Sequence, residues 1–240
     1  MAIPRIIHQT ARNLDSLPEE IRQNIEALKA LNPGWEHRFY SDEAVREYIG
    51  EHFGERIRRA VGRINPRYGV VLADFFRYLV CYREGGVYLD IKSGLTRPLD
   101  EVLLEDDVYL LSQWDNRLGR PTRGWGQFQD VARIAGGEFQ QWQIVAAPGH
   151  PFLNRTIQEV LFNMEQYHPS WFGTGHQGVA RVSGPIAYSL SIAPMLPLHR
   201  FRPVAIEELG IRYTIYDTLR HHMAPDRHYS RSDEPIMLPA

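Results

Sequence analysis

Residues 73–92 constrain this chain more than any other stretch. Ala73-Asp74-Phe75-Phe76-Arg77-Tyr78 lies in a strongly apolar helical pattern over residues 69–84, which Gly85-Gly86 closes. Val87-Tyr88-Leu89 then reads as a buried strand, and it ends on Asp90-Ile91-Lys92. Few folds have reason to leave an acid and a base at the end of an otherwise apolar strand, because desolvated charge is costly. The segment therefore predicts a helix, a tight glycine turn, a core strand and a charged strand exit, in that order.

The rest of the chain supplies more elements of the same kind. Residues 3–10 read as a first strand with Ile6 and Ile7 inside and His8-Gln9-Thr10 at its exit. Ser16-Leu17-Pro18-Glu19 signals a helix start, with Ser16 as the cap, and Ile21, Ile25, Leu28 and Leu31 mark the buried face. Asn32-Pro33-Gly34 stops that helix. Residues 35–40 read as a second strand, Ser41-Asp42 opens a short helix, and residues 107–113 form another apolar strand.

Continuous apolar strands separated by helices predict an α/β fold with a mostly parallel, Rossmann-like sheet covered on both faces. Ligands of such sheets bind at the carboxyl ends of the strands. His8-Gln9-Thr10, Asp90 with Lys92, and Gln113-Trp114-Asp115 are therefore expected to converge on one cleft. Residues 114–137, rich in Gly, Arg and Gln, are expected to be a long binding loop. Ala146-Ala147-Pro148-Gly149-His150-Pro151 leads into a helix to about residue 167. Residues 173–184 are again rich in Gly, Ser183-Gly184-Pro185 precedes one more helix, and a short strand is expected in the tail after residue 211.

Composition narrows the function classes. With 240 residues the chain can bury a large core as one domain. The formal net charge of −2 provides no basic field to recruit nucleic acid. Only two of the 27 basic residues are lysines, which singles out Lys92. The lone Cys81 falls in the apolar helix and reads as a small buried hydrophobe. No charged and apolar leader follows Met1, and no run of about 18 apolar residues occurs. The expectation is a cytoplasmic protein, with peripheral association at the inner face of a membrane left open.

Several residues are candidates for chemistry. Asp74 and Arg77 are spaced i, i+3 and share a helix face. They read as a plain intrahelical ion pair or as a functional pair that grips sugar hydroxyls or phosphate; the apolar neighbours favour the second. Asp90 reads as a turn cap or as a ligand for Mg²⁺ or Mn²⁺ at the diphosphate of a nucleotide. Lys92, two residues on, shares the side of Asp90 in an extended segment and offers a fixed positive charge. His150, in Gly-His-Pro, reads as a turn residue. His221, His222 and His228 lack zinc-site spacing, and His222 is taken as the candidate to reach back to a metal. Asp115 and Glu138 are candidates for a nucleophile or an acceptor-binding group.

With these residues in hand, the chain resembles glycosyltransferase family 32. The matching pieces are Ile3-Pro4-Arg5-Ile6-Ile7-His8-Gln9-Thr10, Asn32-Pro33-Gly34-Trp35, Ala73-Asp74-Phe75-Phe76-Arg77-Tyr78 and Gly85-Gly86-Val87-Tyr88-Leu89-Asp90. Pro148-Gly149-His150-Pro151-Phe152 and Ser183-Gly184-Pro185 match more weakly. The resemblance implies a GT-A fold in one domain, with residues 1–115 as the nucleotide-sugar half and residues 116–240 as the acceptor half and tail. It also implies a retaining transferase of the kind found among fungal α-1,6-mannosyltransferases and bacterial capsule or lipopolysaccharide enzymes. Its donor would be a UDP- or GDP-sugar, and its acceptor a glycan or lipid-linked glycan.

The resemblance assigns roles residue by residue. His8, Gln9 and Thr10 would line the nucleotide pocket. Asp74, Arg77 and Tyr78 would contact the donor, with Ser183 and Gly184 nearby. Asp90 would be the first Asp of an Asp-x-Asp motif that holds Mn²⁺ or Mg²⁺ on the diphosphate. Lys92 stands where the second Asp is usual, and an ammonium cannot ligate a metal. Metal dependence is therefore the weakest inherited property. Two other readings remain at this point: a non-catalytic nucleotide-sugar binder with a decayed motif, and a Mg²⁺-dependent nuclease of Asp-x-Lys type using Asp74, Asp90 and Lys92. The absence of a Lys/Arg stripe for a phosphate backbone argues against the nuclease.

Overall fold

The computed structural model describes residues 2–216 and 229–239. The chain opens with β1 (Ile6–Thr10), α1 (Glu19–Leu31), β2 (Glu36–Tyr40), α2 (Asp42–His52), α3 (Glu55–Gly62) and α4 (Gly69–Glu84). It continues through β3 (Gly86–Leu89), β4 (Gly94–Leu95), α5 (Leu99–Val102), β5 (Tyr109–Leu111) and β6 (Gln143–Ala146). The remaining elements are α6 (Pro151–Glu165), α7 (Pro169–Phe172), α8 (Gly175–Val182), α9 (Pro185–Ile192), β7 (Arg202–Pro203) and β8 (Ile211–Arg212).

Six strands form the central sheet in the order β2-β1-β3-β6-β5-β7. Strand β1 pairs parallel with both β2 and β3, β5 pairs parallel with β7, and β6 is antiparallel to β3 and β5. Five strands thus run one way and β6 alone runs the other. Strands β4 and β8 form a separate antiparallel pair.

Alternate residues of the strands feed two cores. Tyr88, Ile144, Tyr109 and Leu111 pack with α4, α6 and α9 on one face. Val87, Leu89, Val145 and Leu110 pack with Leu28 of α1, Trp35 and Leu99 on the other. A sheet covered on both faces explains why its strands read as unbroken apolar runs.

The helix over residues 69–84 ends as its sequence indicates. Gly85 caps α4 at φ 69°, and Gly86 enters β3 at φ 98°. A Cβ on Gly86 would lie 2.6 Å from the carbonyl oxygen of Ile6, and one on Gly85 would lie 2.7 Å from the Pro148 ring. Backbone therefore approaches backbone too closely here for any side chain.

Other details depart from the sequence reading. Ser16 does not cap α1: its hydroxyl donates to the Asn13 carbonyl within the preceding turn, and Pro18 occupies the cap position. Leu31 is only half-buried, at the end of the helix where the apolar face runs out. The Gly-rich stretch 173–184 holds α8, because Gly178 lets the helix pass 2.7 Å from the Gly173 carbonyl, measured from the Cβ that Gly178 lacks. Strand β6 has no counterpart in the sequence reading, since its apolar run, Ile144-Val145-Ala146, is too short to mark a strand.

Substituting Gly86→Ala is expected to lower the unfolding free energy by about 2–3 kcal/mol, as the strained φ and the Ile6 contact cannot both be relieved. Urea unfolding monitored by far-UV circular dichroism would measure this, and an unchanged midpoint would contradict it.

Candidate active site

The charged residues of α4 and the exit of β3 meet at one buried guanidinium. Arg77 lies 3.0 Å from Asp74 Oδ1 and 3.1 Å from Asp90 Oδ1 through the same Nη2. Its Nη1 donates to the backbone oxygen of Gln141 at 2.7 Å and to the Gln141 side-chain oxygen at 2.6 Å. The guanidinium also stands 4.8 Å above the Tyr88 ring. Arg77 is 3% exposed and Asp74 2%. Burial opposes the charge on Arg77, but Asp90, Tyr88 and Asp74 outweigh it and hold it protonated.

Asp74 is held on every side. Ser183 Oγ donates to its Oδ2 at 2.9 Å, and Gln141 Nε2 to its Oδ1 at 3.3 Å. Burial pushes its pKa up, while Arg77 and the Ser183 and Gln141 bonds pull it back. Tyr78 completes the group by donating to the Ser183 carbonyl at 3.0 Å. The intrahelical pair expected from the i, i+3 spacing is real, but it belongs to a wider buried network.

Lys92 lies in the same place with a different partner. Its Nζ donates to the Tyr213 hydroxyl at 2.9 Å and stands 4.2 Å from that ring's centroid. Burial lowers its pKa, and the charge of Asp90 works against that. The chain segment before the undescribed residues lies across this turn: Ser93 Oγ donates to the Tyr213 carbonyl, and Ile215 N–H to the Lys92 carbonyl.

Asp74, Arg77, Asp90 and Lys92 all line one cavity of about 590 Å³. The reversed direction of β6 explains its floor. Because β6 begins where β3 ends, residues 138–142 enter the sheet at the carboxyl end of β3, and Asp90 N–H donates to the Trp142 carbonyl at 2.9 Å. Gln141 thus joins the site although no sequence signal marked it, and Trp142 joins it as a tryptophan that the sequence offers equally as a sugar or base platform and as core packing. Trp114, Trp125 and Tyr213 close the opposite wall, with ring centroids 4.9 to 5.9 Å apart.

Other candidates lie elsewhere. His8 is fully buried in β1. Its Nε2–H donates to the Gly85 carbonyl at 3.0 Å, so Nδ1 accepts from the Tyr40 hydroxyl at 3.2 Å, and burial lowers its pKa to about 4. Gln9 donates to the Asp90 carbonyl at 3.4 Å and contacts His37. Thr10 is buried at the end of β1. None of these three lines the cavity, and neither do Tyr78, Ser183 or Gly184, which stand behind it. Asp115 is paired with Arg117 and Arg120 at a larger cavity of about 1180 Å³, which contains none of the four central residues. Glu138 does line the central cavity. His222, with His221 and His228, lies outside the described residues.

A family model described as the glycosyltransferase sugar-binding region containing a DXD motif matches residues 18–109, which include the whole of α4, β3 and Asp90. This match and the curated relatives below support a family-32 type of glycosyltransferase. It is 25% identical to the initiation-specific alpha-1,6-mannosyltransferase of Schizosaccharomyces pombe over 86% of its own length and 52% of that protein. It is 31% identical to inositol phosphoceramide mannosyltransferase 2 of the same yeast, over 69% of the chain and 40% of that protein. The chain spans about half the length, or less, of these curated relatives. Among solved structures, the UDP-bound glycosyltransferase domain of the YGT toxin aligns with a TM-score of 0.54, over 93% of this chain and 82% of that domain, at 8% identity. PaToxG glycosyltransferase aligns at 0.53, over 82% and 71%, at 13% identity. The fold is GT-A, the nucleotide-sugar architecture that the family resemblance implies.

DXD-type GT-A enzymes generally use a divalent metal and a nucleotide sugar. The described residues of this chain do not fit a two-carboxylate metal site. Asp90 is the one carboxylate of the motif and is engaged by Arg77, Lys92 brings a positive charge to the second motif position, and Asp74 is taken up by Arg77 and Ser183. Among the described residues no three His, Cys, Asp or Glu side chains converge to hold an ion.

Glu138 provides a pH test. Burial raises its carboxyl from 4.5 to about 7, against the hydrogen bond from Trp114 Nε1 at 2.7 Å. Below the lower value the folded and unfolded chains both hold the proton. Above the higher one the folded chain alone carries a buried charge, so the carboxyl's relative contribution to stability is lost as pH rises through about 7. Glu138→Gln should therefore gain on the parent as pH rises, by up to about 3 kcal/mol. Urea unfolding at about pH 5 and about pH 8 compares the two proteins, and a gap that stays constant between them would contradict this.

Proposed function

We propose that this protein is a retaining glycosyltransferase that moves a hexose from a UDP- or GDP-sugar to a hydroxyl of a glycan or lipid-linked glycan. The observation that carries the reading is the one cavity at the carboxyl end of β3 that Asp74, Arg77, Asp90 and Lys92 all line. A cytoplasmic site of action, with peripheral association at the inner face of a membrane, belongs to the same proposal; no helix among the described residues is long and apolar enough to cross one.

Breaking the anomeric carbon–oxygen bond leaves growing negative charge on the departing diphosphate. Preorganised positive charge at that point is the chief requirement of catalysis. Arg77 is fixed by five polar contacts and Lys92 by Tyr213, so neither has to reorganise as charge develops. Asp90 and Asp74 orient Arg77, and Asp90 remains partly open to the cavity for a sugar hydroxyl. Among the described residues Asp90 is the one carboxylate at the β3 exit, and Glu138, which also lines the cavity, is held by Trp114. The acceptor hydroxyl then attacks from the face the diphosphate leaves, and the leaving phosphate oxygen takes its proton. Configuration at the anomeric carbon is retained.

Lys92 and Arg77 in this reading carry the charge that a second motif carboxylate and its metal carry elsewhere. Lys92→Ala is expected to lower the rate of donor cleavage by about 10²–10³-fold. The parent should change less than about threefold between excess EDTA and Mn²⁺, whereas Lys92→Asp, which rebuilds a two-carboxylate motif, should require Mn²⁺. Release of UDP or GDP from a panel of nucleotide hexoses measures both. Activity of the parent that EDTA abolishes and Mn²⁺ restores would overturn the assignment to Lys92. Absence of turnover on any nucleotide sugar, with tight binding of one, would favour a non-catalytic binder.

A further inference from the structure

One end of the central cavity has chemistry that the charge-handling residues do not use. Glu138 is 6% exposed, and its Oε1 accepts from Trp114 Nε1 at 2.7 Å. Among the described residues its Oε2 has no partner. Trp142, 4% exposed, has an indole N–H that is likewise unpartnered. Both residues line the cavity. An unmade hydrogen bond at a buried atom is costly, and such atoms in a native fold call for an explanation. Here one is an acceptor and the other a donor, on two residues that line the same cavity.

The walls around them are aromatic. Trp114 stands edge-on to Trp125 and to Tyr213, and Trp142 to Tyr213, with ring centroids between 4.9 and 5.4 Å. Tyr213 in turn accepts the hydrogen bond from Lys92. This end of the cavity therefore joins the diphosphate end through one ring. Aromatic faces with few, fixed polar groups suit a ligand whose surface alternates C–H and O–H, because the rings cover the C–H face and the polar groups read the hydroxyls.

We propose that Glu138 and Trp142 form a hydroxyl-reading pair, and that their ligand is a pyranose ring held among Trp114, Trp125 and Tyr213. A hydroxyl of the sugar donates to Glu138 Oε2, and an oxygen of the sugar accepts from the Trp142 N–H. Trp114 fixes the carboxyl in position, so Glu138 is a specificity-determining residue whose free oxygen faces one place only. The inference rests on the transferase reading for the source of the sugar, which is either the hexose of the donor or the terminal residue of the acceptor. The shared chemistry is the pyranose hydroxyl.

The test uses the full chain and follows tryptophan fluorescence, since three of the residues concerned are tryptophans. The probes are UDP, GDP, UDP-glucose, GDP-mannose and the methyl α-glycosides of glucose, galactose and mannose. Glu138→Ala and Trp142→Phe should each weaken binding of a sugar-bearing probe by about tenfold or more, the loss of one hydrogen bond to a buried group, and leave UDP and GDP binding unchanged. Glu138→Gln, which keeps an acceptor oxygen, should lose less than Glu138→Ala. A loss seen as the difference between a nucleotide sugar and its bare nucleotide assigns the ring to the donor. A loss confined to a methyl glycoside assigns it to the acceptor. Urea midpoints for each variant separate a binding loss from a folding loss, and Trp142→Phe keeps the wall if Glu138→Ala proves unstable.

Equal weakening of sugars and bare nucleotides, or unchanged sugar binding in both variants, would overturn the pair. So would a parent protein that binds none of the sugar-bearing probes. Failure of the transferase reading looks different: glycosides that bind through Glu138 and Trp142 without any turnover of a nucleotide sugar would leave the pair standing and remove the reaction.

Discussion

The structure around the cavity depends on the ionic contacts of one buried guanidinium. Arg77 is almost fully enclosed, and a buried charge is tolerable only when it is paired and its hydrogen-bonding groups are occupied. Here Asp74 is a turn earlier on the same helix, Asp90 at the end of β3, and Gln141 at the entry to β6. One side chain thereby ties together three segments from different parts of the chain. Its removal would leave two carboxylates facing each other in a desolvated space, so the group is expected to act as a unit in stability as well as in chemistry.

The single reversed strand gives this unit its floor. A sixth strand parallel to the others would place its own carboxyl end beside Asp90. Because β6 runs antiparallel, its amino end is there instead, and residues 138–142 deliver Glu138, Gln141 and Trp142 to the cavity from a loop that is already committed to the sheet. The long loop before it, residues 114–137, contributes the aromatic wall through Trp114 and Trp125. Loops of that length inside a compact fold are commonly functional, and this one is anchored by the Trp114–Glu138 hydrogen bond at its two ends.

Lys92 marks where this chain leaves the pattern of its family. A carboxylate in that position would add negative charge that a cation must balance before a diphosphate can approach. A lysine held by Tyr213 presents the balancing charge directly, and burial weakens its hydration so that less is lost when an anion replaces water. The fold sets the architecture of the site, and Lys92 sets the electrostatics of its mouth.

The sequence by itself determined the segment from α4 to Asp90. A sustained apolar helix, two glycines with positive φ and a short apolar strand are all local instructions, and residues 69–90 follow them almost to the residue. The covering of both sheet faces was legible for the same reason, since it is written into each strand's own composition. What tertiary structure decided is which distant residues complete the site. His8 resembled a cleft residue at a strand exit, yet pairing of β1 beside β3 leaves its ring bonded to Gly85 and Tyr40 and off the cavity. Gln141 and Tyr213 carry no local signal, and they enter only through the direction of β6 and the tail that crosses Lys92. Local patterns specify an element, but its strand direction and long-range partners follow from packing across the whole chain, and that information is not held in any one window of sequence.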